Sequence, residues 1–244
     1  MPLVIGPERD FEVGGYYSPS MWAPTVADPQ VTTTLAWLAQ TRLPERVMAH
    51  GGPETLLFID FETTRDRVIE VALIRLQRGM SPWVWQSYID PGPAAWNRSR
   101  EYWNTDIHGV TPMMVRGQPT FVQILPTMGA ALKDAVVVAH NVEFERKFLE
   151  LELRILGRQL ASPTLCTLKL ARALRPDLSH HKLTTLASIF EIRNPTPHRA
   201  LGDAFTTVWA MMSLLEQYKG TRPVAAHLRD CTRTASGGRP SPWE

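Results

Sequence analysis

The sequence predicts an α/β fold, a mixed sheet covered by helices on both faces. Three observations carry this expectation. Strand-length runs come first, apolar at 56–60 and 68–76 and alternating at 83–89. From residue 121 onward, helical segments alternate with short strands. The run Ala135 to Ala139 is continuously apolar, as a strand covered on both faces must be. A chain of 244 residues, 44% hydrophobic and 20% charged, has enough apolar material for one good-sized core.

Taken in order, residues 1–53 hold seven prolines among scattered aromatics and read as a Pro-rich N-terminal extension. Within it, Leu35, Leu38 and Leu43 are spaced for one face of a helix running from Thr33 through Arg42. Residues 54–219 form the main domain. In its third strand, Trp83, Trp85, Ser87 and Ile89 share a face, and Asp90-Pro91-Gly92-Pro93 stops it. Residues 94–119, polar and aromatic, connect to a helix at Phe121 to Leu132. Glu143 to Leu156 is a helix with a broad apolar face. Thr164 to Leu174 carries a short strand into a helix ended by Pro176; Leu183 to Phe190 and Leu201 to Tyr218 are the remaining helices. Trp83, Trp85, Trp96, Trp103 and Trp209 are expected in packing, and His180 and His181 in solvent. Residues 220–244, with Arg222, Arg229, Arg233 and Arg239 around Ser236-Gly237-Gly238, read as a basic flexible tail.

Several classes are excluded from the sequence. No apolar run reaches the length of a membrane span, and the N-terminus lacks the basic and apolar regions of a secretory signal. Cys166 and Cys231, the only cysteines, have no metal-type spacing, so neither a disulfide framework nor a zinc site is expected and a reducing, cytoplasmic setting fits. The net charge of +2 leaves any nucleic-acid binding to local patches.

The chemistry sits in two distant pieces. Asp60 and Glu62 end the apolar run Leu56 to Ile59, and residues two apart on a strand point to one face. Paired carboxylates repel unless cations share them, and hard divalent ions favour such an all-oxygen setting. Far downstream, His198 precedes a third acid, Asp203, at the start of an apolar helix. The set reads as a metal-dependent nuclease.

Four segments occur in register. They are Asp60-Phe61-Glu62-Thr63-Thr64 with Val68 to Ala72, Ile107-His108-Gly109-Val110-Thr111, Val137 to Glu145 with Phe148-Leu149, and Thr167 to Arg172 with Leu183 to Leu186 and His198 to Ala204. In this order the chain resembles the DnaQ-like exonucleases, the DEDDh group, over roughly residues 55 to 218. The resemblance implies an RNase H-like fold with a five-stranded mixed sheet flanked by helices, two Mg²⁺ or Mn²⁺ ions, and removal of nucleoside 5′-monophosphates from 3′ ends. It places Asp60, Glu62 and Asp203 on metal-ligand positions and His198 on the general-base position. Where the family has Asp after Asn-x-x-Phe, this chain has Glu145, a DEEDh variant in which the carboxylate reaches about 1.5 Å further. Glu145 is expected to ligate the second ion or to hold it in a shifted place. Phe61 and Thr63 flank the acids and are expected at the terminal nucleotide, with His108 and Asn141 added by the family comparison. Phe144 is equally suited to stacking on a base or to the core. The expected activity is a 3′→5′ exonuclease on single-stranded ends, DNA slightly favoured. The alternatives are an exoribonuclease of the same fold and a non-catalytic nucleic-acid-binding or scaffold module. A protein partner would bind through the N-terminal extension or the tail.

Overall fold

The computed structural model describes residues 3–5, 38, 43–49, 52–194 and 196–234. Strand β1 (Leu3–Ile5) and helix α1 (Leu43–Ala49) precede the sheet strands β2 (Thr55–Thr63), β3 (Val68–Gln77) and β4 (Trp83–Tyr88). Four single-turn helices follow: α2 (Pro93–Trp96), α3 (Arg100–Trp103), α4 (Thr105–His108) and α5 (Pro112–Val115). Next come α6 (Phe121–Leu132), β5 (Val136–Ala139), α7 (Val142–Ile155), β6 (Arg158–Leu160) and β7 (Thr164–Cys166). The chain continues through α8 (Thr167–Leu174), α9 (Leu183–Ile189), α10 (Ala200–Gln217), α11 (Val224–Cys231) and β8 (Thr232–Arg233).

The main sheet runs β4-β3-β2-β5-β7-β8. The pairs β2–β3, β3–β4 and β7–β8 are antiparallel, whereas β2–β5 and β5–β7 are parallel. The fold is therefore the mixed α/β sheet expected, with six strands in place of five. Alternation along β2 divides the core. Leu56 and Phe58 pack under α1, α8, α9, α10 and α11, while Leu57, Ile59 and Phe61 pack against α6 and α7. By the two-residue period, Asp60 and Glu62 continue the face that α10 covers. A register shift at Glu62/Thr63 bulges β2 at its C-terminal end, where the acids lie. A third cluster, with Ile69, Tyr102, Trp103, Val110 and Val115, fills the space under residues 94–119.

One expectation about the chain ends changes. Residues 220–234 are not a loose tail. Val224, Leu228 and Cys231 recur at helical spacing, Leu228 is fully buried, and Thr232–Arg233 add the sixth strand to β7. Arg229 lies off this stripe, and with Arg222 and Arg233 on either side of the helix it hides the stripe in the composition. Of the helix expected over 33–42, only Leu38 lies within the described residues, and it is buried beside Leu43, the first residue of α1. β1 pairs parallel with β6 as a separate two-stranded sheet. Among the described residues no helix is long and apolar enough to cross a membrane.

The tryptophans pack as expected. Trp103 is buried, and Trp83, Trp85, Trp96 and Trp209 lean on the three clusters. His181 departs from its expectation: Nε2 lies 2.8 Å from the Arg175 carbonyl, and its own carbonyl lies 2.9 Å from His140 Nε2, which ties the 175–181 turn to the end of β5.

Candidate active site

The site forms where the C-terminal end of β2 meets the first turns of α7 and α10. Asp60, Glu62 and Asp203 each offer a carboxylate oxygen, and these oxygens lie within 4.8 Å of one another. Glu145 enters from the first turn of α7, which begins after Asn141 in a left-handed conformation (φ 66°). This is a backbone state that Asn tolerates better than most residues. Glu145 is only 5% exposed, and its Oε2 is buried without a hydrogen-bond partner. Glu143 on the same turn faces outward, toward Arg146 and Lys169.

The electrostatics follow from crowding. Burial, followed by the charges of Glu145, Asp203, Glu62 and Glu70, pushes the Asp60 carboxyl well above the usual carboxylate range. Glu62 is pushed up to about 8 by burial and by Asp203 and Glu70. Glu145 is pushed up to about 8, mainly by burial, with the Glu62 charge adding to it. Asp203 is also raised by burial, against the opposing pull of its Asn194 hydrogen bond and of His198. Four acids, one of them with an orphaned buried oxygen, make an all-oxygen donor set that suits hard divalent cations.

Asp203 is held from two sides. Asn194 Nδ2 donates to Oδ1 at 2.7 Å and the His198 amide to Oδ2 at 3.3 Å. Gly202 lets Asn194 and Thr196 lie directly on α10: a Cβ there would sit 2.5 Å from the Thr196 carbonyl oxygen. His198 itself adopts φ 58° and is exposed at the rim.

The expected substrate contacts divide. Phe61 turns its ring into the core against α6 and α7, so a side-chain contact with a nucleotide is ruled out and only its backbone remains. Thr63 is buried, and its carbonyl accepts from Asn104 Nδ2 at 3.0 Å. His108 is buried with Nδ1 accepting from the Val110 amide at 3.0 Å, which leaves Nε2 as the N–H donor, without a partner. Asn141 is exposed. Phe144 is 40% exposed, one residue from Glu145, with its ring centroid 4.9 Å from that of Phe148; the core reading of this residue falls. The sequence reading gave no role to Glu70, Tyr88, Asn194 and Arg199, which surround the α10 N-terminus. Glu70 lies in the quoted segment Val68 to Ala72 and Arg199 follows His198, but partners so far apart in the chain give no local signal.

Residues 57–211 match the RNase T family model, described as exonuclease. The chain belongs to the DnaQ-like exonucleases. The DNA polymerase III subunit epsilon of Aquifex aeolicus is 32% identical over 169 residues, 67% of this chain and 81% of that protein. The PolC-type DNA polymerase III of Clostridium perfringens is 33% identical over 178 residues, 70% of this chain and 12% of that much longer protein. Among solved structures, Exonuclease X in complex with 5′ overhanging duplex DNA superposes with a TM-score of 0.52 at 23% identity, covering 71% of this chain and 99% of that one. At that identity the likeness speaks for the RNase H-like fold alone.

Proposed function

We propose that this DnaQ-like domain is a 3′→5′ exonuclease that hydrolyses single-stranded ends, DNA slightly ahead of RNA, to nucleoside 5′-monophosphates. The observation that carries this is the meeting of four buried or half-buried acids with an exposed histidine at one end of the sheet. Asp60, Glu62 and Asp203, with Glu145 beside Asp60, would hold two Mg²⁺ or Mn²⁺ ions. When bound, these supply Lewis-acid stabilisation of the phosphodiester and of the leaving oxygen.

The remaining roles belong to the chain. An imidazole exposed at the rim accepts the proton of the attacking water at a ring nitrogen of His198. Phe144 presents an exposed ring on which the terminal base stacks, a sequence-tolerant contact. Asn141, beside it, and the Nε2–H of His108 are donors for sugar or phosphate oxygens. The backbone at Phe61 and Thr63 lines the approach to Asp60 and Glu62. A protein partner of polymerase type would bind through the N-terminal extension of residues 1–53 or through the tail of residues 220–244.

The deciding assay follows 5′-labelled single-stranded DNA and RNA of matched sequence, with Mg²⁺, Mn²⁺ or chelator, for wild type and Asp60→Ala. A metal-dependent ladder shrinking from the 3′ end, absent in the variant, is expected, and comparison of the two sugars gives the preference. Folded wild type that binds either strand and cleaves neither would make the chain a binding module.

Glu145 gives a sharper expectation. Glu145→Asp keeps activity within about 10-fold of wild type, with a higher metal requirement, because charge is retained and reach is shortened by about 1.5 Å. Glu145→Gln should lose far more. Metal titrations of kcat for both variants check this, and complete loss in Glu145→Asp would mean that the longer reach is indispensable.

A further inference from the structure

The α10 N-terminus is fastened to the sheet by a charged contact that the reaction as described leaves unused. Glu62 on β2 lies opposite Glu70 on β3, and Glu70 lies opposite Tyr88 on β4, so the three side chains form one row across the sheet. Arg199 reaches into this row. Its Nη2 lies 2.6 Å from Glu70 Oε1, and its Nε lies 3.0 Å from Oε2. The same Nη2 donates to the Tyr88 hydroxyl, and the guanidinium carbon lies 5.3 Å from the Tyr88 ring centre. Glu70 Oε2 also accepts from the amide of Ala200, the first residue of α10, at 3.3 Å. One buried carboxylate thus binds both the side chain of Arg199 and the open end of the helix. On either side of this anchor stand exposed His198 and Asp203.

We propose that Glu70 and Arg199 are positioning residues for the exonuclease reaction, a clamp that fixes His198 and Asp203 relative to the acids of β2. The proposal rests on the reading of His198 and the four acids given above. Its physical reason lies in the cost of the alternative. A half-buried ion pair is a poor source of net stability compared with apolar side chains of similar volume, so its worth lies in defined geometry. The bidentate fork orients the Arg199 backbone, and in the extended conformation of Arg199 (φ −131°, ψ 133°) the neighbouring His198 is set by it.

The test uses the full chain, with wild-type activity on 5′-labelled single-stranded DNA established first. Glu70→Gln and Arg199→Met are expected to lower kcat by about 10- to 100-fold with KM changed less than about 3-fold, since displacement by about 1 Å suffices for such losses. Arg199→Lys should recover only part of kcat, because an ammonium lacks the fork. The double variant Glu70→Leu/Arg199→Met removes both charges together, so its melting temperature should return toward wild type while kcat stays low. If kcat recovers with the melting temperature in the double variant, the pair only stabilises the fold and the proposal is overturned. Unchanged kcat in both single variants overturns it equally. An inactive wild type overturns the exonuclease reading itself, and the clamp with it; the two failures are told apart by that first measurement.

Discussion

Asp60→Asn is expected to lower exonuclease activity by about 10³-fold or more and, in ion-free buffer, to raise the melting temperature by roughly 2–8 °C. The two effects share one cause. Asp60 lies among Glu145, Asp203, Glu62 and Glu70, and burial combined with their charges holds its carboxyl well above the ordinary range. Without ions, the fold carries a carboxylate whose neighbours repel it; an amide relieves about 1–2 kcal/mol of that strain, a common exchange of function for stability. The same cluster makes stability depend on pH. Each of the four acids holds its proton more tightly in the folded than in the unfolded chain. Their contribution is therefore fully present below the ordinary carboxylate value of about 4 and is lost as pH rises through about 8, the value reached by Glu62 and Glu145. Divalent cations, as proposed, would bind the deprotonated cluster, so Mg²⁺ should raise the melting temperature more at pH 8 than at pH 5.5. In Asp60→Asn that increment should shrink at both values. Thermal melts with and without Mg²⁺ measure all of this. A variant that melts lower in chelator than wild type would show that the Asp60 carboxylate is stabilised by contacts within the protein rather than strained.

The parts of this architecture that could be read from the sequence are those set by short-range periodicity. The two-residue alternation from Leu56 to Phe61 places Asp60 and Glu62 on one face because the bulge comes only after Glu62. Helix α6 has its expected bounds because Gln123 accepts from the Thr120 amide at its start and Asp134, with φ 54°, turns the chain at its end. The C-terminal helix was hidden for the opposite reason. Its apolar stripe has three residues, Val224, Leu228 and Cys231, and between them lie His227, Arg229 and Asp230. Only packing against β7 and α8 rewards so narrow a face. Phe144 and Phe148 are one turn apart, so periodicity alone assigns them the same surroundings. The exposure of one and burial of the other come from α7 starting just past the C-terminal end of β5, where its first turn overhangs the site. The Glu70–Arg199 pair joins residues 129 positions apart, and its existence depends on β3 register and the docking of α10 together. No local pattern encodes such a contact.

His198→Gln is expected to lower kcat by about 10²- to 10⁴-fold while leaving metal binding nearly unchanged, which separates it from every acid of the site. The separation follows from position. His198 is exposed, and its direct tie to Asp203 runs through its backbone amide rather than its ring. Glutamine keeps that amide, so Asp203 stays where Asn194 and the helix hold it. What is lost is the ring nitrogen proposed to take the proton of the attacking water. The Mg²⁺-induced rise in melting temperature should therefore match wild type, whereas kcat falls and KM for a short single-stranded oligonucleotide changes little. Loss of the Mg²⁺ effect in His198→Gln would mean that the imidazole helps hold the cation-binding loop, and the proton acceptor would have to be sought among the acids. Full activity in the variant would remove histidine from the chemistry and leave proton transfer to bulk water. With the metal-binding readout intact and kcat reduced, the four acids would gather charge and His198 would move the proton.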